Sequence, residues 1–169
     1  MAGMTLRSIT RPAATHGIAH ARLPAVPAPA LTPPMQPLRT YIVEDSQLIR
    51  EALVATLEEL VPVEVVGTAE DESTAVQWLQ QPGHPIDLLI VDIFLKGGSG
   101  LGVLRAVSRL ADGPATVVVL SNFATPDMRR RCIELGADRV FDKSHDIEAL
   151  ILFCARLAAG DSEPAPLPA

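Results

Sequence analysis

The stretch that decides the fold runs from Ile86 to Gly100 and reads IDLLIVDIFLKGGSG. Residues 88–91 form a short, unbroken run of apolar residues, which is typical of a strand covered by helices on both faces. The run ends at Asp92, and a glycine-rich turn follows. In open α/β sheets, ligands bind beyond the carboxyl ends of the strands. Asp92 therefore stands where a helix cap, a structural acceptor or a catalytic carboxylate is found.

Strand-like runs alternate with helical patterns throughout residues 40–160. The predicted strands are 40–43, 63–68, 88–91, 115–120 and 139–141. The predicted helices are 47–60, 73–81, 100–111, 126–135 and 147–157. Five alternating pairs predict an α/β fold: a doubly wound, five-stranded parallel sheet flanked by five helices, with right-handed crossovers.

Local signals mark where several helices begin and end. Ser46 can cap the first helix, and Pro126 occupies a first helical position. Gly136 is predicted to end the fourth helix in the left-handed conformation, and Gly160 ends the fifth. Two helices carry apolar residues at helical spacing that predict their buried faces. These residues are Ile49, Leu53, Leu57 and Leu60 in the first helix, and Ile147, Leu150, Ile151, Cys154 and Leu157 in the last.

The two ends of the chain differ from its centre in composition. Residues 1–39 hold seven prolines and four arginines with no acidic residue, and we predict that they are disordered. Met35 is an alternative start, and a transit peptide is a weaker interpretation of the same segment. Residues 161–169 are expected to form a second disordered tail. Because no effector domain is expected after Gly160, output should pass through another protein or a relay.

Charge and cysteine content restrict the classes of function. Residues 40–160 carry eighteen acidic and ten basic side chains, a net charge of −8, which argues against direct nucleic-acid binding. No apolar run is long enough for a membrane span or a secretory core, so we predict a cytoplasmic protein without membrane contact. Cys132 and Cys154 form no CxxC pair and are expected to be reduced and buried.

Polar residues follow four of the predicted strands, and their carboxyl ends meet at one edge of the sheet. Carboxylates brought together there repel one another, and a divalent cation held by oxygen ligands, such as Mg²⁺, removes that repulsion. A lysine and a hydroxyl beside them suit a phosphoryl group, with Asp92 as the candidate nucleophile. The residues concerned are Glu44, Asp45, Asp92, Ser121 and Lys143.

Four motifs in register over 40–160 resemble the receiver domain of two-component response regulators, a flavodoxin-like fold. They are YIVEDS at 41–46, LLIVDIFL at 88–95, VVVLSNFA at 117–124 and GADRVFDKS at 136–144. The resemblance implies that Asp92 accepts a phosphoryl group from a histidine kinase or a phosphotransfer protein and that a downstream protein receives the signal. It also implies that Asp45, Asp92 and the Phe94 carbonyl bind Mg²⁺ directly and Glu44 through water. Ser121 would bind a phosphoryl oxygen and signal the switch, and Lys143 would pair with the phosphate.

The chain departs from the family pattern beside the site. Val140 stands where the family often has an aromatic residue, and strand alternation points Phe141 to the opposite face. Asn122 replaces a small residue and could restrict phosphodonors. Phe94 and Phe123 occupy positions beside the path of the attacking water, which predicts slow self-dephosphorylation.

Several of these residues and motifs also have other interpretations. Glu44 and Asp45 could be helix caps, and Lys143 could be a solvated lysine. The glycines of 96–102 lack the order of a nucleotide-binding loop, and a dehalogenase-type phosphatase would need an aspartate at position 94. Arg129, Arg130 and Arg131 are expected to form a solvated face, and His16 and His20 have no predicted role. The second function class is a receiver-shaped binding module that acts without phosphorylation.

Overall fold

Five parallel strands form one sheet, with a helix after each strand, in a computed structural model that describes residues 36–161. The strands are β1 (Leu38–Val43), β2 (Val63–Ala69), β3 (Leu88–Val91), β4 (Thr116–Ser121) and β5 (Arg139–Asp142). The helices are α1 (Gln47–Leu60), α2 (Glu72–Leu79), α3 (Gly100–Val107), α4 (Pro126–Glu134) and α5 (Ile147–Ala158). The strand order β2-β1-β3-β4-β5 is that of flavodoxin-like sheets and confirms the predicted architecture.

β3 lies at the centre of the sheet, and all four of its residues are buried. Its side chains alternate between two apolar cores, one on each face. Leu88 and Ile90 pack with α1 and α5, and Leu89 and Val91 pack on the opposite face with α2 and α3. This arrangement confirms that the apolar run is a strand covered on both sides.

Most of the predicted helix signals are confirmed. The Ser46 hydroxyl accepts a hydrogen bond from the Ile49 N–H at the start of α1. Pro126 begins α4, and Gly136 and Gly160 have φ angles of 97° and 81° after α4 and α5. Cys132 and Cys154 are free and buried, and burial raises the pKa of both thiols, that of Cys154 to about 12.

Some boundaries and burial assignments differ from the sequence predictions. β1 begins at Leu38 because its N–H still pairs with the carbonyl of Pro62, the residue directly before β2. α2 begins at Glu72 because the Asp71 side chain caps it. Leu53 and Leu57 are buried in α1 as predicted, but Ile49 and Leu60 are exposed because they lie at the edges of its apolar face.

Three of the sequence predictions concern residues that lie wholly or mostly outside 36–161. They are the disorder of residues 1–39 and 161–169, the alternative start at Met35, and the interpretation of His16 and His20. Of residues 1–39, Leu38 and Arg39 belong to β1. Among the helices of residues 36–161, none is both long and apolar enough to cross a membrane.

Candidate functional site

The predicted site residues meet at the carboxyl edge of the sheet. Parallel strands end at the same edge, and β1, β3, β4 and β5 are successive neighbours there. The loops that follow them enclose a small cleft of about 140 Å³. It is lined by Glu44, Asp45, Ser46, Ile49, Asp92, Phe94, Asn122, Phe123 and Lys143.

The Lys143 ammonium lies between two carboxylates. Its Nζ atom is 2.6 Å from Asp92 Oδ2 and 2.5 Å from Glu44 Oε2, and all three side chains are at most 7% exposed. Burial by itself lowers the pKa of Lys143, but the hydrogen bonds and negative charges of Asp92 and Glu44 outweigh it and raise that pKa above its usual value. The lysine is therefore a protonated member of the site and not a solvated surface residue.

The acidic residues after β1 do not act as helix caps, since Ser46 caps α1. A Glu44 oxygen accepts the Ser46 N–H at 3.1 Å, and Asp45 Oδ2 accepts the Lys96 N–H at 3.1 Å. Glu44, Asp45 and Asp92 each offer an oxygen, and these oxygens lie within 4.8 Å of one another. Because Mg²⁺ binds oxygen ligands at about 2.0–2.1 Å, a cluster of this size can share one such ion.

Ser121 ends β4 and is fully buried. Its hydroxyl oxygen is the one buried side-chain polar atom of residues 36–161 without a hydrogen-bond partner. Leaving a buried polar group unpaired costs about 1–3 kcal/mol. Such a hydroxyl is suited to a ligand oxygen that completes its hydrogen bonding.

Two aromatic rings stand at the mouth of the cleft. The centroids of Phe94 and Phe123 are 5.2 Å apart, and the ring planes make an angle of 69°. The two residues are 50% and 61% exposed, so they pack on each other more than on the core. The sequence placed them on either side of the site, and the structure shows that they touch.

A close approach of backbone explains one glycine of the turn after Asp92. A Cβ atom at Gly100 would lie 2.1 Å from the Asp92 carbonyl oxygen, which no side chain allows. Gly100 begins α3, so this contact fixes the start of that helix directly beside Asp92. The glycines of 96–102 thus have structural functions, consistent with the absence of a nucleotide-loop order.

Arg129 is a residue whose position the sequence prediction missed. Its guanidinium donates to the Ala124 carbonyl at 2.9 Å and to the Val140 carbonyl at 2.5 Å, and it pairs with Asp146 at 3.2 Å. It thereby joins the loop after β4 to β5 and to the start of α5. Arg130 and Arg131 are exposed as expected, so the prediction of a solvated face was wrong for Arg129 alone.

Arg50 also contacts the site, although no pattern in the surrounding sequence predicts this contact. One guanidinium nitrogen donates to the Glu44 carbonyl at 2.7 Å, and the other pairs with Glu70 at 2.8 Å. Its side chain is largely buried between α1 and the loops after β1 and β2. A lone arginine in a helix with an apolar face gives no indication of such a contact.

Val140 and Phe141 lie as strand alternation predicted. Val140 joins the core under α2, α3 and α4, whereas Phe141 joins the opposite core under α1 and α5. Neither side chain lines the cleft. Position 140 holds a valine, so this chain has no aromatic side chain there that could reorient. The contact at this position is made by its backbone, whose carbonyl accepts a hydrogen bond from the Arg129 guanidinium.

Comparison with known proteins gives a consistent result. The model of the response regulator receiver domain matches residues 40–154. Protein-glutamate methylesterase/protein-glutamine glutaminase 5 of Myxococcus xanthus is 30% identical over 147 residues, which are 79% of this chain and 42% of that protein. The transcriptional regulatory protein LiaR of Bacillus subtilis is 28% identical over 59% of this chain and 46% of its own.

Among solved structures, the signal receiver domain of the response regulator NarL from Mycobacterium tuberculosis aligns with a TM-score of 0.60 and 26% identity. The alignment covers 72% of this chain and 98% of that domain. The chain thus matches the whole of an isolated receiver domain but spans less than half the length of the two curated relatives.

Proposed function

The chain belongs to the response regulator receiver family, and from that membership we propose that Asp92 accepts a phosphoryl group from a phosphohistidine. The observation that supports this best is the Lys143 ammonium held between Asp92 and Glu44, with Asp45 beside them. A buried cation among three carboxylates at one sheet edge is suited to a reaction in which negative charge arrives and must be neutralised.

The reaction transfers a phosphoryl group from nitrogen to oxygen. A carboxylate oxygen of Asp92 attacks phosphorus, and the phosphorus–nitrogen bond of the phosphohistidine breaks. The electron pair of that bond stays on the imidazole nitrogen, and the phosphoryl group remains on Asp92 as an acyl phosphate. The Lys143 ammonium, already beside Asp92, pairs with the oxygens of the transferred group.

Glu44, Asp45, Asp92 and the Phe94 carbonyl would hold Mg²⁺, Glu44 through water. When bound, the ion neutralises charge on the phosphoryl oxygens. The cluster of carboxylate oxygens supports this assignment, because three acidic groups balanced by one lysine leave an excess of negative charge. Ser121 would donate its hydroxyl to a phosphoryl oxygen as the switch residue. The lack of a hydrogen-bond partner for this buried hydroxyl within residues 36–161 supports that assignment.

The phosphodonor is a sensor histidine kinase or a histidine phosphotransfer protein. Output passes through contact with a downstream protein or through further phosphoryl relay, and residues 40–160 act as a response regulator in the cytoplasm without nucleic-acid or membrane contact. In this proposal the chain's own reactions are limited to phosphoryl uptake and loss. The acidic surface of this domain supports a protein partner over a nucleic acid.

Acetyl phosphate with Mg²⁺ tests the proposal without a partner protein. Intact-mass spectrometry should show the addition of one phosphoryl group to the wild-type chain, and chelation of Mg²⁺ should prevent it. The Asp92→Asn variant, with an unchanged circular dichroism spectrum, should gain none. Labelling that persists in Asp92→Asn would contradict the acceptor assignment. A wild-type chain that takes up no phosphoryl group from either acetyl phosphate or a phosphohistidine donor would favour a binding module instead.

A further inference from the structure

Glu72 connects the start of α2 to the glycine-rich loop after β3. Its N–H donates to the Gly97 carbonyl at 2.9 Å, and its Oε2 accepts the Ser99 N–H at 2.8 Å. Ser99 is the N-cap of α3. The Glu72 carboxylate therefore lies at the N-terminus of a helix to which it does not belong, where its charge interacts favourably with the helix dipole.

Two glycines leave room for this side chain. A Cβ atom at Gly102 would lie 2.0 Å from Glu72 Oε1, and the three nearest atoms to it all belong to the Glu72 side chain. A Cβ atom at Gly98, whose φ is 87°, would lie 2.5 Å from Glu72 Cβ. Because Gly102 lies within α3, where glycine is disfavoured relative to alanine, its presence is explained by the space that the Glu72 carboxylate needs.

The loop that Glu72 holds also reaches the acidic cluster. The Lys96 N–H donates to Asp45 Oδ2 at 3.1 Å, and the Phe94 N–H donates to Asp92 Oδ1 at 3.2 Å. Gly97, whose carbonyl Glu72 holds, follows Lys96 directly. The backbone between Phe94 and Ser99 is thus attached to the cluster at one end and to Glu72 at the other.

We propose that Glu72 is a positioning residue for the acidic cluster. Its backbone N–H holds Gly97 and its carboxylate holds Ser99, and together these contacts keep the Lys96 N–H where it orients the Asp45 carboxylate. The consequence for Mg²⁺ binding rests on the function proposed above, whereas the consequence for the loop does not. Loss of the carboxylate would free the Ser99 N–H and leave the loop held by the backbone bond to Gly97, so that the Lys96 N–H is a less fixed donor to Asp45.

Asp71 offers a matched control because it precedes Glu72 and also carries a carboxylate at the start of α2. Its oxygens accept hydrogen bonds from Ser73 and Thr74 only, within the first turn of its own helix. Asp71→Ala should therefore remove a helix cap without releasing the β3–α3 loop.

The experiment records the amide signals of Lys96 and Ser99 by nitrogen-15 NMR and the Mg²⁺ dissociation constant by calorimetry, using the full chain. Glu72→Ala should shift both amides toward weaker hydrogen bonding and weaken Mg²⁺ binding about tenfold, as the loss of an outer supporting contact does at metal sites. Glu72→Gln keeps a hydrogen-bond acceptor, so its Lys96 and Ser99 amide signals and its Mg²⁺ affinity should be close to those of the wild type. Asp71→Ala should lower the thermal midpoint and leave the Lys96 amide and the Mg²⁺ affinity unchanged.

If Glu72→Ala shifts Ser99 but neither Lys96 nor the Mg²⁺ affinity, Glu72 only caps α3 and the proposal is wrong. If the wild-type chain binds no Mg²⁺, the metal assignment is wrong. The shift of the Lys96 amide in Glu72→Ala then shows by itself whether Glu72 positions the loop, and an unchanged Lys96 amide contradicts the proposal.

Gly102→Ala provides an independent test of the same contact. In the wild-type chain, the added methyl group should displace the Glu72 carboxylate and shift the Lys96 amide as Glu72→Ala does. In the Glu72→Ala background the methyl group has room, and the better helix former should raise the thermal midpoint by about 2–4 °C. An equal change in thermal midpoint in the two backgrounds would contradict the proposed packing.

Discussion

The Lys143 ammonium lies 2.6 Å from Asp92 Oδ2, although the two residues are 51 positions apart in the chain. Both side chains are 7% exposed, and Glu44 on the other side of the lysine is 3% exposed. Because removal of one partner would leave a nearly buried charge uncompensated, the pairing bears on the stability of the fold as well as on the proposed chemistry.

Replacing Lys143 by alanine leaves two nearly buried carboxylates facing each other. Breaking a fully buried pair costs about 3–5 kcal/mol, and the cleft is partly open to water, so we expect a loss of about 2 kcal/mol in the free energy of unfolding. Mg²⁺ should restore part of this loss because it neutralises the same carboxylates. Urea denaturation with and without Mg²⁺ measures both effects. A loss that Mg²⁺ leaves unchanged would show that the carboxylates are not the source of the instability.

The pH dependence of the same pairing follows from the raised pKa of Lys143. A group whose pKa is higher in the folded than in the unfolded state contributes stability below its unfolded value, which is about 10.5 for lysine. That contribution is lost as the pH rises through the folded value. We expect the difference in unfolding free energy between wild type and Lys143→Met to stay constant from about pH 7 to pH 10. A difference that grows as the pH rises from about 9 to 10.5 would mean that burial dominates and the pKa of Lys143 is lowered.

The contact between Phe94 and Phe123 predicts a long-lived phosphoryl group. Neither ring can activate a water molecule, and both line the cleft in contact with each other. Phe94→Asn should speed the loss of the phosphoryl group about tenfold, which corresponds to 1.4 kcal/mol of activation free energy. Decay of the phosphorylated chain in excess Mg²⁺ without a partner gives the rate. Phe123→Asp tests the second ring, and the aromatic pair does not control lifetime if both variants decay at the wild-type rate.

Arg129 and Arg130 are adjacent in α4, and their contacts predict different effects on stability. Arg129 is half-buried and bonds two backbone carbonyls and Asp146, whereas Arg130 makes only exposed ion pairs with Asp127 and Glu134. Arg129→Ala should cost about 2 kcal/mol of unfolding free energy, because it leaves partly buried carbonyls unpaired. Arg130→Ala should cost less than about 0.5 kcal/mol, as exposed ion pairs do. Equal losses in the two variants would mean that the Arg129 contacts do not stabilise the fold.

The two cysteines should be unreactive in the folded protein. Both are fully buried, and burial raises the pKa of each thiol. A thiol that remains protonated and covered is a poor nucleophile. A disulfide reagent at pH 8 should label neither residue in the native chain and both after denaturation. Rapid labelling of Cys132 in the native chain would show that α4 opens from the sheet.

The sequence by itself determined the fold and the main residues of the site. A four-residue apolar run such as Leu88–Val91, too short for a helix and followed directly by a turn, indicates a strand covered on both faces, and alternation with helices predicts a parallel sheet. The carboxyl ends of parallel strands meet at one edge of the sheet. Residues that directly follow different strands are therefore brought together there, independently of the conformation of the loops. For that reason Glu44, Asp92 and Lys143 could be placed in one site from their positions alone.

Only the tertiary structure decided which long side chains reach between elements. Helical spacing assigns a residue to a face within a wide angle, but it does not say which of three consecutive arginines turns toward β5. Arg129 contacts the carbonyls of Ala124 and Val140, and Glu72 contacts Ser99. Both sets of contacts depend on the course of the loops and on side-chain rotamers, and neither of these leaves a periodic pattern in the sequence. The same holds for the Phe94–Phe123 pair, because both rings lie in loops whose course is set by the packing around them.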